Sequence, residues 1–244
     1  MIMNYFELQC KAYIKKDFSF RDSFHIISKF ISFSLAKEEK FLQEHYKNQY
    51  KTYSFSSFIE CQKNKPPKHI QEGMLLCFRL RTIDKELFSL LPKLLEQNTN
   101  NPFFSVVATQ QKIRQPFFIS ELYTLTPTVI TLTDKKFWSF QNSGDVLQLQ
   151  RLLHENLEKK YKQFYGDIKP MHNFIQLFEI KNKTPQFLSM QKEAKTIKLL
   201  GNKFRIIPHE DEISQKLAFL ALGVGLGEKN TLGGGFLLAK GLKL

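Results

Sequence analysis

The sequence predicts an α+β chain of two tandem ferredoxin-like domains, each with the β-α-β-β-α-β order of an RRM-like sheet. Three observations carry that prediction. Apolar spacing switches repeatedly between the period of a strand and that of a helix. A six-element order fills the first half and recurs in the second. The 244 residues are 42% hydrophobic, enough for two cores when a domain commonly holds about 100–150 residues. The expected division places residues 1–116 in an N-terminal domain and 117–244 in a C-terminal domain with a glycine-rich loop.

Tyr5 to Ile14 alternates apolar and polar, as a half-buried strand does. Ser23 to Leu35 sets Phe24, Ile26, Ile27, Phe30, Ile31 and Leu35 at helical spacing, and a shorter helical stretch runs from Lys37 to about His45. Thr52 to Glu60 and Met74 to Thr82 read as strands on either side of the Pro66-Pro67 turn. Asp84 is placed to cap a helix reaching Gln97, with Leu87, Phe88, Leu91, Leu94 and Leu95 on its apolar face. Pro92 inside it predicts a kink or an early stop. Phe103 to Ala108 completes the first set. In the second, Tyr123 to Leu132 is strand-like around Pro127, and Asp145 to Phe164 is a long amphipathic helix. Phe174 to Lys181 and Ile197 to Ile207, with a turn at Gly201-Asn202, supply the central strands. Asp211 to Leu222 is the second helix, and Phe236 to Ala239 begins the last strand.

Composition excludes several classes. With 24 Phe and 8 Tyr the chain is too aromatic to stay solvated and disordered. No apolar run approaches the roughly 18 residues of a membrane span, and the first residues lack a signal peptide's basic start and apolar core. The expectation is a cytoplasmic protein with no membrane partner. Cys10, Cys61 and Cys77 are odd in number with no C-x-x-C pair, which argues against both a disulfide framework and a zinc site. Neither a metal nor a cofactor is expected. Lys and Arg total 36 against 23 acids, a net charge of +13. Residues 1–118 hold 18 basic and 11 acidic side chains, and 119–244 hold 18 and 12, so the excess belongs to both halves. A basic globular body suits a polyanionic partner, because neutralising phosphates releases counterions.

The most informative stretch runs from Gly223 to Phe236 and holds six of the 11 glycines. No Gly-Lys-Ser/Thr ends it, and the G-x-G-x-x-G spacing is absent. It follows a helix and precedes a strand, the inverse of both phosphate-binding motifs. What remains is a loop whose bare backbone can approach another chain, with Lys229 and Asn230 as donors to a nucleic-acid backbone.

That stretch, G-x-G-x-G-E-K-N-T-L-G-x-G, resembles the signature of the CRISPR repeat-RNA processing endoribonucleases, the sixth Cas family of the repeat-associated RNA-binding superfamily. Lys51-Thr52-Tyr53-Ser54-Phe55-Ser56 is similar to a strand of that family's first domain, and Leu125-Thr126-Pro127-Thr128-Val129-Ile130 to the strand opening its second. Gly234 departs from the pattern, since an aromatic usually stands there.

The resemblance implies a metal-independent endoribonuclease that cuts CRISPR repeat RNA (pre-crRNA) into guide crRNAs. The ribose 2′-hydroxyl attacks the adjacent phosphate and leaves 2′,3′-cyclic phosphate and 5′-hydroxyl ends. It makes His45 the base, suited by an ordinary pKa of about 6.5, and Lys51 the charge on the phosphate. The family's helix Tyr has no equivalent, because Phe30 stands there; Tyr46 or Tyr50 is left for that place. His25, on the first helix, is the alternative base. Gly223, Gly225, Gly227, Lys229, Asn230, Gly233 and Gly235 are the implied RNA-binding residues, and other Cas proteins of an effector complex are further partners. The alternative reading is a repeat-RNA-binding subunit of the same fold without cleavage.

Overall fold

Alternation in β1 (Tyr5–Ile14) sends Phe6, Leu8, Cys10, Ala12 and Ile14 into one core. The strand lies between β4 (Leu75–Thr82) and β5 (Phe104–Arg114), antiparallel to both. The computed structural model describes residues 3–47, 49–63, 65–192 and 195–242, and leaves out the side chains of 44–46, 191, 192 and 195. The first sheet has the order β2-β4-β1-β5, with β2 at Tyr53–Phe55 and β3 (Ile59–Glu60) also beside β4. Helices α1 (Ser23–Leu35) and α3 (Lys85–Glu96) bury their apolar stripes in the same core, and α2 (Glu39–Tyr46) follows α1.

The second sheet has the order β11-β6-β10-β7, from β6 (Phe118–Thr124), β7 (Ile175–Ile180), β10 (Phe204–Pro208) and β11 (Leu237–Leu242). Ranked along the chain, each sheet places its first strand between its third and fourth and its second at an edge, which is the ferredoxin-like order. Helices α4 (Val146–Tyr165) and α5 (Glu212–Val224) fill the second core with Leu149, Leu153, Leu157, Leu217 and Ala221. Asp84, Asp145 and Asp211 cap α3, α4 and α5 by accepting backbone N–H bonds. Arg81 pairs with Glu7 of its own unit at 2.7 Å and reaches across to donate to the carbonyls of Leu222 and Leu237 in the second. Burial opposes ionisation of Glu7, but the Arg81 charge and its hydrogen bond, with those of Arg114, hold the carboxyl below its usual pKa.

Several expectations are corrected. Helix α3 runs through Pro92 to Glu96, so of the two outcomes expected there the early stop does not occur. The N–H that proline lacks would have met the Phe88 carbonyl, and Gln111 Nε2 donates to that oxygen at 3.1 Å instead. The expected strand at 123–132 ends at Thr124, where Pro127 forbids a full ladder, and β6 extends back to Phe118. The expected strand at 197–207 is two strands in different sheets. β9 (Lys195–Gly201) pairs with the unforeseen β8 (Gln186–Lys192), and this hairpin lends Leu188 and Leu199 to the first unit's core. Cys61 and Cys77 form a disulfide, where the cysteine count had argued against a disulfide framework. Pairing of Ile59 with Cys77 in the β3–β4 ladder brings the two Cα atoms to 5.0 Å, within bridging range. Cys10 stays free and buried.

Candidate functional site

The three segments singled out in the sequence meet in space. Leu125 N–H donates to the Phe236 carbonyl, Gly235 N–H to Pro127, and Phe236 N–H to Thr126 Oγ1, so residues 125–128 are tied to the end of the glycine-rich loop. Glu228 closes the other side, donating its N–H to the Val129 carbonyl and accepting from Thr131 N–H and Oγ1. From the first unit, Ser54 Oγ donates to the Gly223 carbonyl at 3.0 Å and Ser28 Oγ to that of Thr231 at 2.7 Å.

The predicted glycines serve this internal packing. Gly223 lies under Tyr5 and Ile83, Gly225 beside Asn230, Gly227 beside Thr128, Gly233 on Phe24 and Phe55, and Gly235 on Leu226. All five are buried, so close approach of their backbone is to this chain's own atoms. Gly227 shows why no side chain fits. Its φ is +67°, and a Cβ would stand 2.7 Å from Thr128 Cγ2 and 2.8 Å from the Val129 carbonyl oxygen. Gly234, the departure from the family pattern, is equally enclosed, with the Glu228 carbonyl 2.9 Å from where a Cβ would stand.

Lys160 of α4 sits under the loop at 1% exposure. Its Nζ donates to the carbonyls of Gly225 at 2.8 Å and Gly227 at 2.7 Å, and to Asn230 Oδ1 at 2.7 Å. Burial pushes its pKa down to about 7, against the charge of Glu228. Asn230 spends its other end on the carbonyls of Leu226 and Gly234. Sequence reasoning missed Lys160, although a signal existed. It falls in phase with Leu149, Leu153 and Leu157, where a lysine on an apolar stripe needs partners.

The loop's exposed part is Lys229, which forms one wall of a cleft of about 610 Å³ with Glu228 and Thr231. Lys47, Tyr50 and Lys51 from the α2–β2 connection form the opposite wall, and Asn156 and Gln163 of α4 also line it. Lys51 Nζ donates to the Lys47 carbonyl at 3.0 Å. Burial and the charge of Glu228 raise the Tyr50 pKa, against a side-chain hydrogen bond with Asn156, so the hydroxyl keeps its proton. Lysines from both units thus face one cavity, an arrangement able to hold a phosphate.

His45 and Tyr46 close α2, just ahead of Lys47, and their side chains lie outside the described residues. His25 is elsewhere, in a second groove of about 780 Å³ between α1 and residues 98–103, beside Lys29, Lys37 and Phe33. Burial and the nearby Lys29 lower its pKa. The structure therefore brings together Lys51, Lys229 and the end of α2, and leaves His25 apart. Phe30 is fully buried against Phe104. No described helix is long and apolar enough to cross a membrane.

The family model described as CRISPR associated protein Cas6, C-terminal, matches residues 110–238. The chain is 26% identical over 245 aligned residues to the CRISPR-associated endoribonuclease Cas6 2 of Methanocaldococcus jannaschii, covering 91% of this chain and 95% of that protein. Among solved structures, a CRISPR associated protein Cas6 superposes with a TM-score of 0.68 at 17% identity, over 97% of this chain and 99% of that one. A Cas6-related protein of Pyrococcus furiosus gives 0.63 at 16%, over 98% and 99%. At such identities the structural likenesses speak for the fold.

Proposed function

This chain belongs to the Cas6 family of CRISPR-associated proteins, and from that premise we propose that it is an endoribonuclease that cuts CRISPR repeat RNA to make guide crRNAs. The observation that supports this is the lysine-lined cleft between Lys51 and the glycine-rich loop, to which the third family-like segment is hydrogen-bonded. In this reading the scissile phosphate lies between Lys51 and Lys229, whose charges offset what develops on its free oxygens. His45, at the end of α2 ahead of that cleft, takes the proton of the ribose 2′-hydroxyl. The 2′-oxygen bonds to phosphorus as the P–O5′ bond breaks, and O5′ accepts a proton. The products are a 2′,3′-cyclic phosphate and a 5′-hydroxyl. The two units, divided in this reading between residues 116 and 117, each supply one wall.

The test is cleavage of repeat RNA carrying a single 2′-deoxyribose before the scissile phosphate, beside the unmodified RNA in excess EDTA. Cutting should vanish in the first and persist in the second, because the 2′-hydroxyl is the nucleophile and no metal-activated water is used. Cutting of the deoxy RNA, or its loss in EDTA with binding intact, would overturn the mechanism. Tight binding of unmodified repeat RNA with no cutting would leave a repeat-RNA-binding subunit.

A further inference from the structure

Both walls of the cleft are fastened to the same helix. Gln163 of α4 grips the backbone of Tyr50 from two sides, its Oε1 accepting from Tyr50 N–H at 3.0 Å and its Nε2 donating to the Tyr50 carbonyl at 2.8 Å. Asn156 lies beside Tyr50 in the lining of the cleft. Lys160, between them on the helix, holds the glycine-rich loop through three oxygens, and its Nζ lies 5.7 Å from the centre of the Tyr50 ring. Positions 156, 160 and 163 follow one another at i, i+4 and i+7, which is a single helical stripe. Lys51 directly follows Tyr50, and Lys229 directly precedes Asn230. Lys51 and Lys229 are therefore each one residue from a point of attachment to α4.

We propose that Asn156, Lys160 and Gln163 are positioning residues: a polar stripe of the second unit that sets residues 49–52 of the first unit against the glycine-rich loop, fixing how far apart Lys51 and Lys229 stand. This rests on the reading of the cleft as the place where the scissile phosphate sits. The stripe serves geometry and not attraction, because Gln163 is neutral and Lys160 spends its three N–H bonds on the protein itself. A misplacement of about 1 Å in such a site can cost about 10²-fold in rate. Loss of the stripe should therefore act on the rate of the chemical step, while phosphate attraction by exposed lysines persists.

The test uses the full chain and three readouts: affinity for repeat RNA, single-turnover cleavage rate, and amide hydrogen exchange at Tyr50 and across residues 226–235. Gln163 is exposed, so Gln163→Leu should fold normally. Its Tyr50 amide should exchange faster and its cleavage should slow about 10- to 100-fold, with affinity within a few-fold. Gln163→Glu keeps the acceptor for Tyr50 N–H and should fall between Leu and the parent in both exchange and rate. Lys160→Met should speed exchange across residues 226–235. Unchanged exchange at Tyr50 in Gln163→Leu, or faster exchange with full cleavage rate, would overturn the proposal. A parent chain that binds but never cuts would refute the endonuclease chemistry alone; the exchange readouts would still decide whether the stripe holds both walls.

Discussion

The connections at residues 97–103 and 225–236 occupy the same place in the two units, each leading from the second helix into the last strand. In each, an asparagine ties the loop to its unit's first helix. Asn98 Nδ2 donates to the Phe30 carbonyl and Ser34 Oγ of α1, a neutral pin. Asn230 Oδ1 accepts from Lys160 of α4, a pin made by a buried amine. The first loop borders the larger groove, walled by Phe18, Phe33 and Phe103; the second borders the smaller, lysine-lined cleft. The comparison teaches that one scaffold position can close a loop on its own unit or share a cleft with the other, as residues 228–231 do opposite Lys47, Tyr50 and Lys51.

The largest expected effect separates His45, which ends α2 ahead of the cleft, from His25 of the larger groove. His45→Ala should slow cleavage by about 10²-fold or more, the usual worth of general acid–base catalysis, with RNA affinity within a few-fold. His25→Ala, in the groove of the first loop, should slow it less than about tenfold. The comparison breaks if single-turnover rates reverse that order, since the chemistry would then belong to the α1 groove.

The second effect distinguishes a neutral pin from a titratable one. Burial lowers the Lys160 pKa to about 7 in the folded chain, below the roughly 10.4 of an exposed lysine. Between those values the unfolded chain binds the extra proton, so stability rises with pH across that window and falls as pH drops toward 7. Relative to Lys160→Met, the parent should gain about tenfold in folding equilibrium per pH unit from pH 7 to 10, read by urea denaturation. Asn98→Ala should show no such slope against the parent. A flat difference for Lys160→Met would mean that the three oxygens around Nζ keep the ammonium at its ordinary pKa.

How much of this was legible follows from where each residue finds its partner. Local signals sufficed for α1, whose bounds match the apolar spacing from Ser23 to Leu35, and for the Asp84 cap, which acts within one turn. Signals that depend on the other unit were not legible. Leu188 and Leu199 belong to a second-half hairpin but are buried in the first core, so their strand lacks a companion in its own half. Pro92 looked like a kink or a stop because the donor that rescues Phe88 is Gln111, on a strand whose register sequence alone does not give. The glycine-rich loop was conspicuous, but its composition fits both close approach to RNA and close approach to Thr128, Phe24 and Leu226. Packing shows the second, and leaves Lys229 as the loop's outward group.

The smallest expected effect sharpens the comparison at the level of single phosphates. Lys229 and Lys37 are both exposed lysines beside a groove, the first on the glycine-rich loop and the second at the end of α1 near residues 97–103. If the scissile phosphate sits in the cleft, Lys229 releases counterion on binding and Lys37 does not. Each phosphate contact on a single strand contributes about 0.7 to the slope of log K against log salt. Lys229→Ala should reduce the magnitude of that slope by about this amount and weaken binding only a few-fold at moderate salt. Lys37→Ala should leave the slope unchanged, because its Nζ is engaged by the Gln97 carbonyl at 3.3 Å beside an apolar-walled groove. Equal slope changes for both variants would place RNA across both loops, and the chemical contrast between them would no longer explain which one binds.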